Sequence, residues 1–186
     1  MRVISGFLKG KRLLSPKGQD TRPTADRLKE TLFNILQGRI SESKFLDVFS
    51  GTGSIGIEAL SRGADKVVFI DSSRECGEII NKNLSSISSA DILNKFDIIV
   101  ADFKSAIRTL GNENKKFDII FLDPPYYNEF TYEAINAIVE NRLLEKDGII
   151  ISEQGSKDPE YEFSKLEIYD IREYKTAKFV FYTNLQ

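Results

Sequence analysis

Phe121-Leu122-Asp123-Pro124-Pro125-Tyr126 joins an apolar run to a carboxylate, two prolines and an aromatic ring. A proline restricts the residue before it to extended backbone, so Pro124 holds Asp123 and Pro125 holds Pro124 in that conformation. The Asp123 carboxylate and the following carbonyl are thereby fixed at low entropic cost. Both can accept hydrogen bonds from an exocyclic amine, which has two hydrogens to donate. Tyr126 adds a flat face on which a nucleobase can stack. The bland reading of the same residues is a Pro-Pro turn leaving a strand.

A second constellation lies upstream. The stretch FLDVFSGTGSIGIEALSRGA, residues 45–64, carries Gly51, Gly53 and Gly56 at G-x-G-x-x-G spacing. Between a strand and a helix, such glycines let the backbone turn tightly and approach a nucleotide cofactor. Asp71 follows Gly51 by 20 residues, the offset of a carboxylate that accepts both hydroxyls of an adenosine ribose. NAD and S-adenosylmethionine both carry that ribose. Asp47 separates them: it stands inside the strand, where the NAD pattern wants an apolar residue. A carboxylate there suits the ammonium of a methionine moiety and repels a pyrophosphate. A tight strand–helix turn with no ligand is the alternative.

What is missing narrows the chemistry further. The 186 residues include no histidine, which removes His-based triads, the usual zinc sites and imidazole acid–base catalysis. The metal expectation is none. Cys76 is the single cysteine, which excludes an internal disulfide and agrees with a reducing compartment. No apolar run approaches the ~20 residues of a membrane span, and the first residues lack a signal-peptide core, so a cytoplasmic location is expected.

The net charge of −2 conceals an asymmetry. Residues 1–30 hold eight basic side chains against three acidic ones, and the rest of the chain holds 18 against 25. A basic arm on an acidic body suggests a polyanionic partner touched locally. The candidates for that contact are Arg2, Lys9, Lys11, Arg12, Arg22, Thr24 and Arg27. A merely solvated N-terminus is the competing reading.

These residues need elements to position them. KFLDVF (44–49), KVVFID (66–71), FDIIVA (96–101) and FDIIFLD (117–123) read as strands buried on both faces. Helical patterns over 54–62, 73–84, 103–110 and 129–144 alternate with them, which predicts an open parallel α/β sheet. DGIIIS (147–152) adds a strand, and 165–184 holds two strand-like runs joined by a polar turn, an antiparallel hairpin. Seven strands result. Before them, 1–22 reads as a small basic β-hairpin extension, and RPTADRLKETLFNIL (22–36) opens a helix with Thr24 as its N-cap. The chain thus divides into an extension, 1–22, and an α/β domain, 23–186.

With MRVISG, GKRL, RPTADRLKETLFNIL, LDVFSGTGSIGIEALSRGA and FDIIFLDPPY in hand, the chain resembles the RsmD family along almost its whole length. These are class I, Rossmann-like S-adenosylmethionine-dependent methyltransferases acting on N2 of guanine 966 in bacterial 16S ribosomal RNA. The resemblance implies that Gly51 and Gly53 lie against the methionine moiety, with Asp47 near its ammonium, and that Ser50 and Thr52 are also cofactor-binding. It gives the ribose to Asp71 and the adenine to Asp102 and Phe103, and counts Ser72 among the cofactor-binding residues. Asp123, Pro124, Pro125 and Tyr126 would hold the target guanine, and the partner would be 16S rRNA in the small subunit or an assembly intermediate. Two departures stand out: Leu8 occupies a place where the family often has tryptophan, and Asp71 one where it often has glutamate. The Asp-Pro-Pro-Tyr motif is shared with adenine-N6 methyltransferases, which keeps a DNA or RNA adenine enzyme as the rival reading. A nicotinamide oxidoreductase or a silent nucleotide-binding module stands further off.

Overall fold

The computed structural model describes residues 1–15, 23–87, 92, 94–125 and 128–185. Its seven strands are β1 (Lys44–Val48), β2 (Lys66–Asp71), β3 (Phe96–Val100), β4 (Phe117–Leu122), β5 (Leu144–Gly155), β6 (Leu166–Glu173) and β7 (Ala177–Asn184). They form one sheet in the order β3-β2-β1-β4-β5-β7-β6. Pairing is parallel from β3 across to β5 and antiparallel at β5–β7 and β7–β6. This is the mostly parallel sheet with a C-terminal antiparallel hairpin that the alternating pattern predicts. The order reverses between β1 and β4, and ligands of such sheets bind beyond the strand ends at that switch point.

Helices cover both faces. α1 (Pro23–Ile35), α2 (Ser54–Ser61) and α3 (Arg74–Ser85) bury Leu32, Phe33, Ile57, Leu60 and Ile80 against Phe45, Phe69, Phe121 and Ile151. On the other face α4 (Phe103–Asn112) and α5 (Asn128–Glu140) pack Ile107, Leu110, Ile135 and Ile138 on Leu46, Val68, Ile120 and Ile150. Alternate residues of each central strand thus enter two separate cores, which is why those strands read as continuous apolar runs. Gly56 is where α2 meets the sheet: a Cβ there would lie 2.2 Å from the Phe69 ring.

Three boundaries differ from the sequence pattern. The helix expected over 129–144 ends at Glu140, because Arg142 turns through the left-handed region (φ 55°) and Leu144 already begins β5. β5 also outruns 147–152 at both ends; Phe117 pairs with Leu144, then a bulge shifts the register to Ile119 with Ile149. Thr24 is not the N-cap: α1 starts at Pro23, so Thr24 falls inside the first turn. Proline is favoured there because its missing N–H would go unpaired anyway.

The N-terminal residues form a minimal hairpin. Arg2 bridges Arg12, and Val3 N–H donates to the Lys11 carbonyl at 2.9 Å. Val3 and Leu13 enter the same core as α1 and α2. Among the described residues no helix is long and apolar enough to cross a membrane.

Candidate active site

Side-chain alternation puts Asp47, Asp71 and Asp123 on one sheet face, at or just past the carboxyl ends of β1, β2 and β4. Their strand neighbours Phe45, Phe69 and Phe121 all enter the core beneath that face. Val48 pairs with both Ile70 and Leu122, so Asp71 and Asp123 stand one residue further out and Asp47 one residue deeper. Burial pushes Asp47 up to about 8 despite the hydrogen bond its Oδ2 accepts from Gly56 N–H at 2.9 Å, and the charges of Asp123 and Asp71 push the same way. Asp123 opens to solvent at the lip of the crevice, yet the protein around its carboxyl raises it to about 6 by desolvation. No lysine or arginine pairs with any of the three among the described residues. Such a cluster favours a cationic ligand, which would let Asp47 release its proton and ionise.

The loop after β1 is held by its own polar groups. Asp71 accepts from Gly51 N–H through Oδ2 and from Ser73 N–H through Oδ1, both at 2.8 Å. A carboxylate has about four lone-pair sites, so each oxygen keeps capacity for a hydroxyl donor. Ser50 is buried; its hydroxyl sits between the Asp47 carbonyl (2.6 Å) and the Ile70 backbone, and its N–H donates to the Ile70 carbonyl. Ser50 therefore splices β1 to β2 through its hydroxyl and its N–H. Gly51 faces open space, with nothing within 4 Å of a Cβ built on it. Thr52 touches Met1 Sδ through its hydroxyl (3.8 Å), and its carbonyl accepts from Asn83 Nδ2 at 3.1 Å.

Ser72 is exposed beyond β2. Asp102 caps α4, accepting from Ser105 N–H at 2.9 Å, and the Phe103 ring packs 5.1 Å from Phe49 and 5.9 Å from Phe130. Pro124 and Pro125 leave β4 beside Asp123 without helical structure. Tyr126 and Arg22 lie outside the described residues, as do the side chain of Thr24 and its surroundings. Among the described residues no group of acidic or thiol side chains could hold a metal ion. One shallow cleft, of about 230 Å³, is lined by Arg39, Asp118 and Asp147 at the opposite end of the strands and has no part in this cluster.

The basic arm is less free than its charge count suggests. Lys29 is 4% exposed, donates to the Arg2 carbonyl at 2.7 Å and lies 3.5 Å from Glu58; burial holds its pKa below the usual lysine range. Lys11 donates to the Ser86 carbonyl at 2.5 Å. Arg2, Lys9, Arg12 and Arg27 are exposed, and so is Phe7, an aromatic beside the basic residues that charge counting overlooks. Glu58, fully buried on α2, accepts from Ile4 N–H (2.8 Å), Ser5 N–H (3.0 Å) and Arg62 Nε (2.8 Å). Gly6 completes the dock: a Cβ there would sit 1.8 Å from the Ser61 carbonyl, at a φ of +82°. The arm thus rests on α2, the helix that follows the Gly51–Gly53 turn.

Residues 1–183 match the family described as conserved hypothetical protein 95. Ribosomal RNA small subunit methyltransferase D of Haemophilus influenzae is 36% identical over 163 residues, covering 86% of this chain and 81% of that protein. The solved structure of yhhF from Escherichia coli, described as a methyltransferase candidate, superposes with a TM-score of 0.85 at 28% identity, covering 99% and 97% of the two chains. A more distant fold relative, SMU.776, has a TM-score of 0.69 at 15% identity over 84% of this chain and 48% of that one, and was crystallised with S-adenosylhomocysteine.

Proposed function

Because the chain belongs to the RsmD family, described as conserved hypothetical protein 95, we propose that it transfers a methyl group from S-adenosylmethionine to the exocyclic N2 of a guanine in 16S ribosomal RNA. Guanine 966 is the nucleotide that the family resemblance suggests. The observation that carries this reading is the carboxylate cluster of Asp47, Asp71 and Asp123, which lacks a protein cation among the described residues. Asp47 suits an ammonium, Asp71 a ribose, and the open space over Gly51 the body of the cofactor. Residues 1–22 serve as the basic extension and 23–186 as the methyltransferase domain.

When bound, S-adenosylmethionine supplies a methyl group on a sulfonium cation, an electrophile that needs no metal. Guanine N2 is a poor nucleophile because its lone pair is delocalised into the ring. The Asp123 carboxylate and the Pro124 carbonyl accept its two N–H groups and favour a more tetrahedral nitrogen. They also stabilise the positive charge that develops there during attack. Asp123 then receives one proton from the methylated ammonium. Tyr126 stacks on the extruded base, and extrusion costs a few kcal/mol unless the guanine already lies in a loop.

The test is incubation with labelled S-adenosylmethionine and small ribosomal subunits lacking the modification, followed by mapping of the methylated nucleotide. Methyl on guanine N2 supports the proposal. Methyl on adenine N6, or none on the subunit, sinks it.

Two further outcomes are expected. Asp71→Ala raises the dissociation constant for S-adenosylmethionine roughly 10- to 100-fold, the loss of charge-assisted hydrogen bonds at ~1.5–3 kcal/mol. Part of that loss comes from freeing Gly51 and Ser73, whose N–H groups Asp71 anchors. Calorimetric titration checks it, and unchanged affinity would remove Asp71 from the cofactor site.

Replacing Lys9 and Arg12 by Ala weakens RNA binding and leaves cofactor binding intact, since both side chains are exposed on the arm. Each lost phosphate contact flattens the slope of log affinity against log salt by about 0.7 to 1. Normal RNA binding at every salt concentration would leave the arm a solvated hairpin.

A further inference from the structure

Glu153 is an acid that the reading above leaves unused. β4 and β5 are parallel, and their register pairs Phe121 with Ile151 and Leu122 with Ser152. The residues that follow are Asp123, just past β4, and Glu153, so their backbones lie about one strand spacing, ~4.8 Å, apart, and Glu153 feels the charge of Asp123. Ile151 enters the same core as Phe121, so Glu153, two residues on, faces the side of the sheet that Asp123 faces. It is half-buried.

We propose that Glu153 reads the target base beside Asp123, accepting from guanine N1–H and donating to guanine O6, so that the site takes guanine in preference to adenine. The inference rests on the guanine-N2 reading of this site. Along its Watson–Crick edge guanine presents N2–H, N1–H and O6 in a row. With N2 held by Asp123, a carboxylic acid one strand over meets N1–H with its carbonyl oxygen and O6 with its hydroxyl. Adenine held by N6 offers at the neighbouring positions only N1, an acceptor, and then C2–H, so one of the two hydrogen bonds disappears.

The electrostatics of the pair supply the needed proton. Desolvation raises both carboxyls, Asp123 to about 6. Desolvation, and then the charge of Asp123, holds the Glu153 carboxyl protonated up to about 8. No other charge among the described residues acts on it: β7 presents the apolar Phe179 opposite Glu153, while Lys178 turns to the far face and donates to the Asp158 carbonyl and to Glu160. At neutral pH the pair thus retains one proton, and a guanine O6 beside Glu153 favours it there, which leaves Asp123 the acceptor.

Glu153→Ala is expected to raise the KM for unmodified small subunits about 10- to 100-fold, the value of a bidentate base contact, with S-adenosylhomocysteine affinity and melting temperature unchanged. Glu153→Gln keeps an acceptor and a donor in the same places and should hold KM near wild type at pH 7. Its profile should also lack the rise in KM expected of the wild type above about pH 8. Direct binding of the subunits in the presence of S-adenosylhomocysteine gives the same ranking without turnover. If the wild type methylates guanine and Glu153→Ala matches it in KM and binding, Glu153 does not read the base. If Gln is as damaging as Ala with the alkaline rise intact, the donor role is wrong. A wild type that leaves guanine unmethylated defeats the functional reading first and this inference with it.

Discussion

Asp123→Ala should abolish methyl transfer, lowering kcat by 10³-fold or more, while S-adenosylhomocysteine binds within a few-fold of wild type. The carboxylate addresses the amine of the base, and removing a group that stabilises developing charge in a preorganised site costs about 10²–10³ by itself. Loss of the proton acceptor and of base positioning adds to that. Asp123→Asn should be milder because its amide oxygen still accepts one hydrogen bond. The pH profile follows from the same carboxyl. Desolvation holds Asp123 at about 6, so single-turnover rates should fall as pH drops through 6 and the group takes up a proton. Single-turnover measurements from pH 5 to 8, with cofactor titrations alongside, check all three statements. Cofactor affinity lost together with activity would move Asp123 out of the catalytic role.

The second large effect concerns stability. Glu58→Ala should destabilise the protein by ~3–5 kcal/mol, since it leaves the buried Lys29 without its carboxylate and orphans the Ile4 and Ser5 N–H groups. For a chain of this length, 1 kcal/mol corresponds to about 2–4 °C, so the melting temperature should fall by roughly 10 °C. The loss should be worst at low pH. Burial already holds the Lys29 pKa below its ordinary value, and without Glu58 it falls further. As pH rises through that folded pKa, the native lysine gives up its proton while the unfolded one stays charged, and stability recovers. Thermal melts at pH 6 and pH 9 test the magnitude and the sign. An unchanged melting temperature would mean that Glu58 does not anchor the arm.

The same buried carboxylate explains a misreading of the sequence. Lys29 counts among the eight basic residues of 1–30, but its ammonium is internal and paired. Charge counting cannot distinguish a solvated lysine from one whose partner lies 29 residues away on another helix. Lys11, tied to Ser86, is a milder case. The exposed Arg2, Lys9, Arg12 and Arg27 still leave the arm basic.

Local pattern alone determined much of the rest. Short Val-, Ile- and Phe-rich runs read as strands buried on both faces, and the helices between them point to parallel crossovers. The glycines of 51–56 and the prolines after Asp123 impose backbone geometry through covalent and steric rules that act within a few residues, so their elements are legible without partners. Boundaries that depend on non-local pairing were not: β5 begins at Leu144 because Phe117 pairs with it, and the helix before it stops accordingly. Strand order was likewise decided by tertiary packing. Nothing near Asp123 in sequence points to Glu153, which lies 30 residues on and just past the apolar run of β5. The two meet because β5 docks beside β4, a choice made by the shared core of Phe121, Ile151 and Phe179. Desolvation in that packed setting raises both carboxyls, and the charge of Asp123 raises Glu153 further.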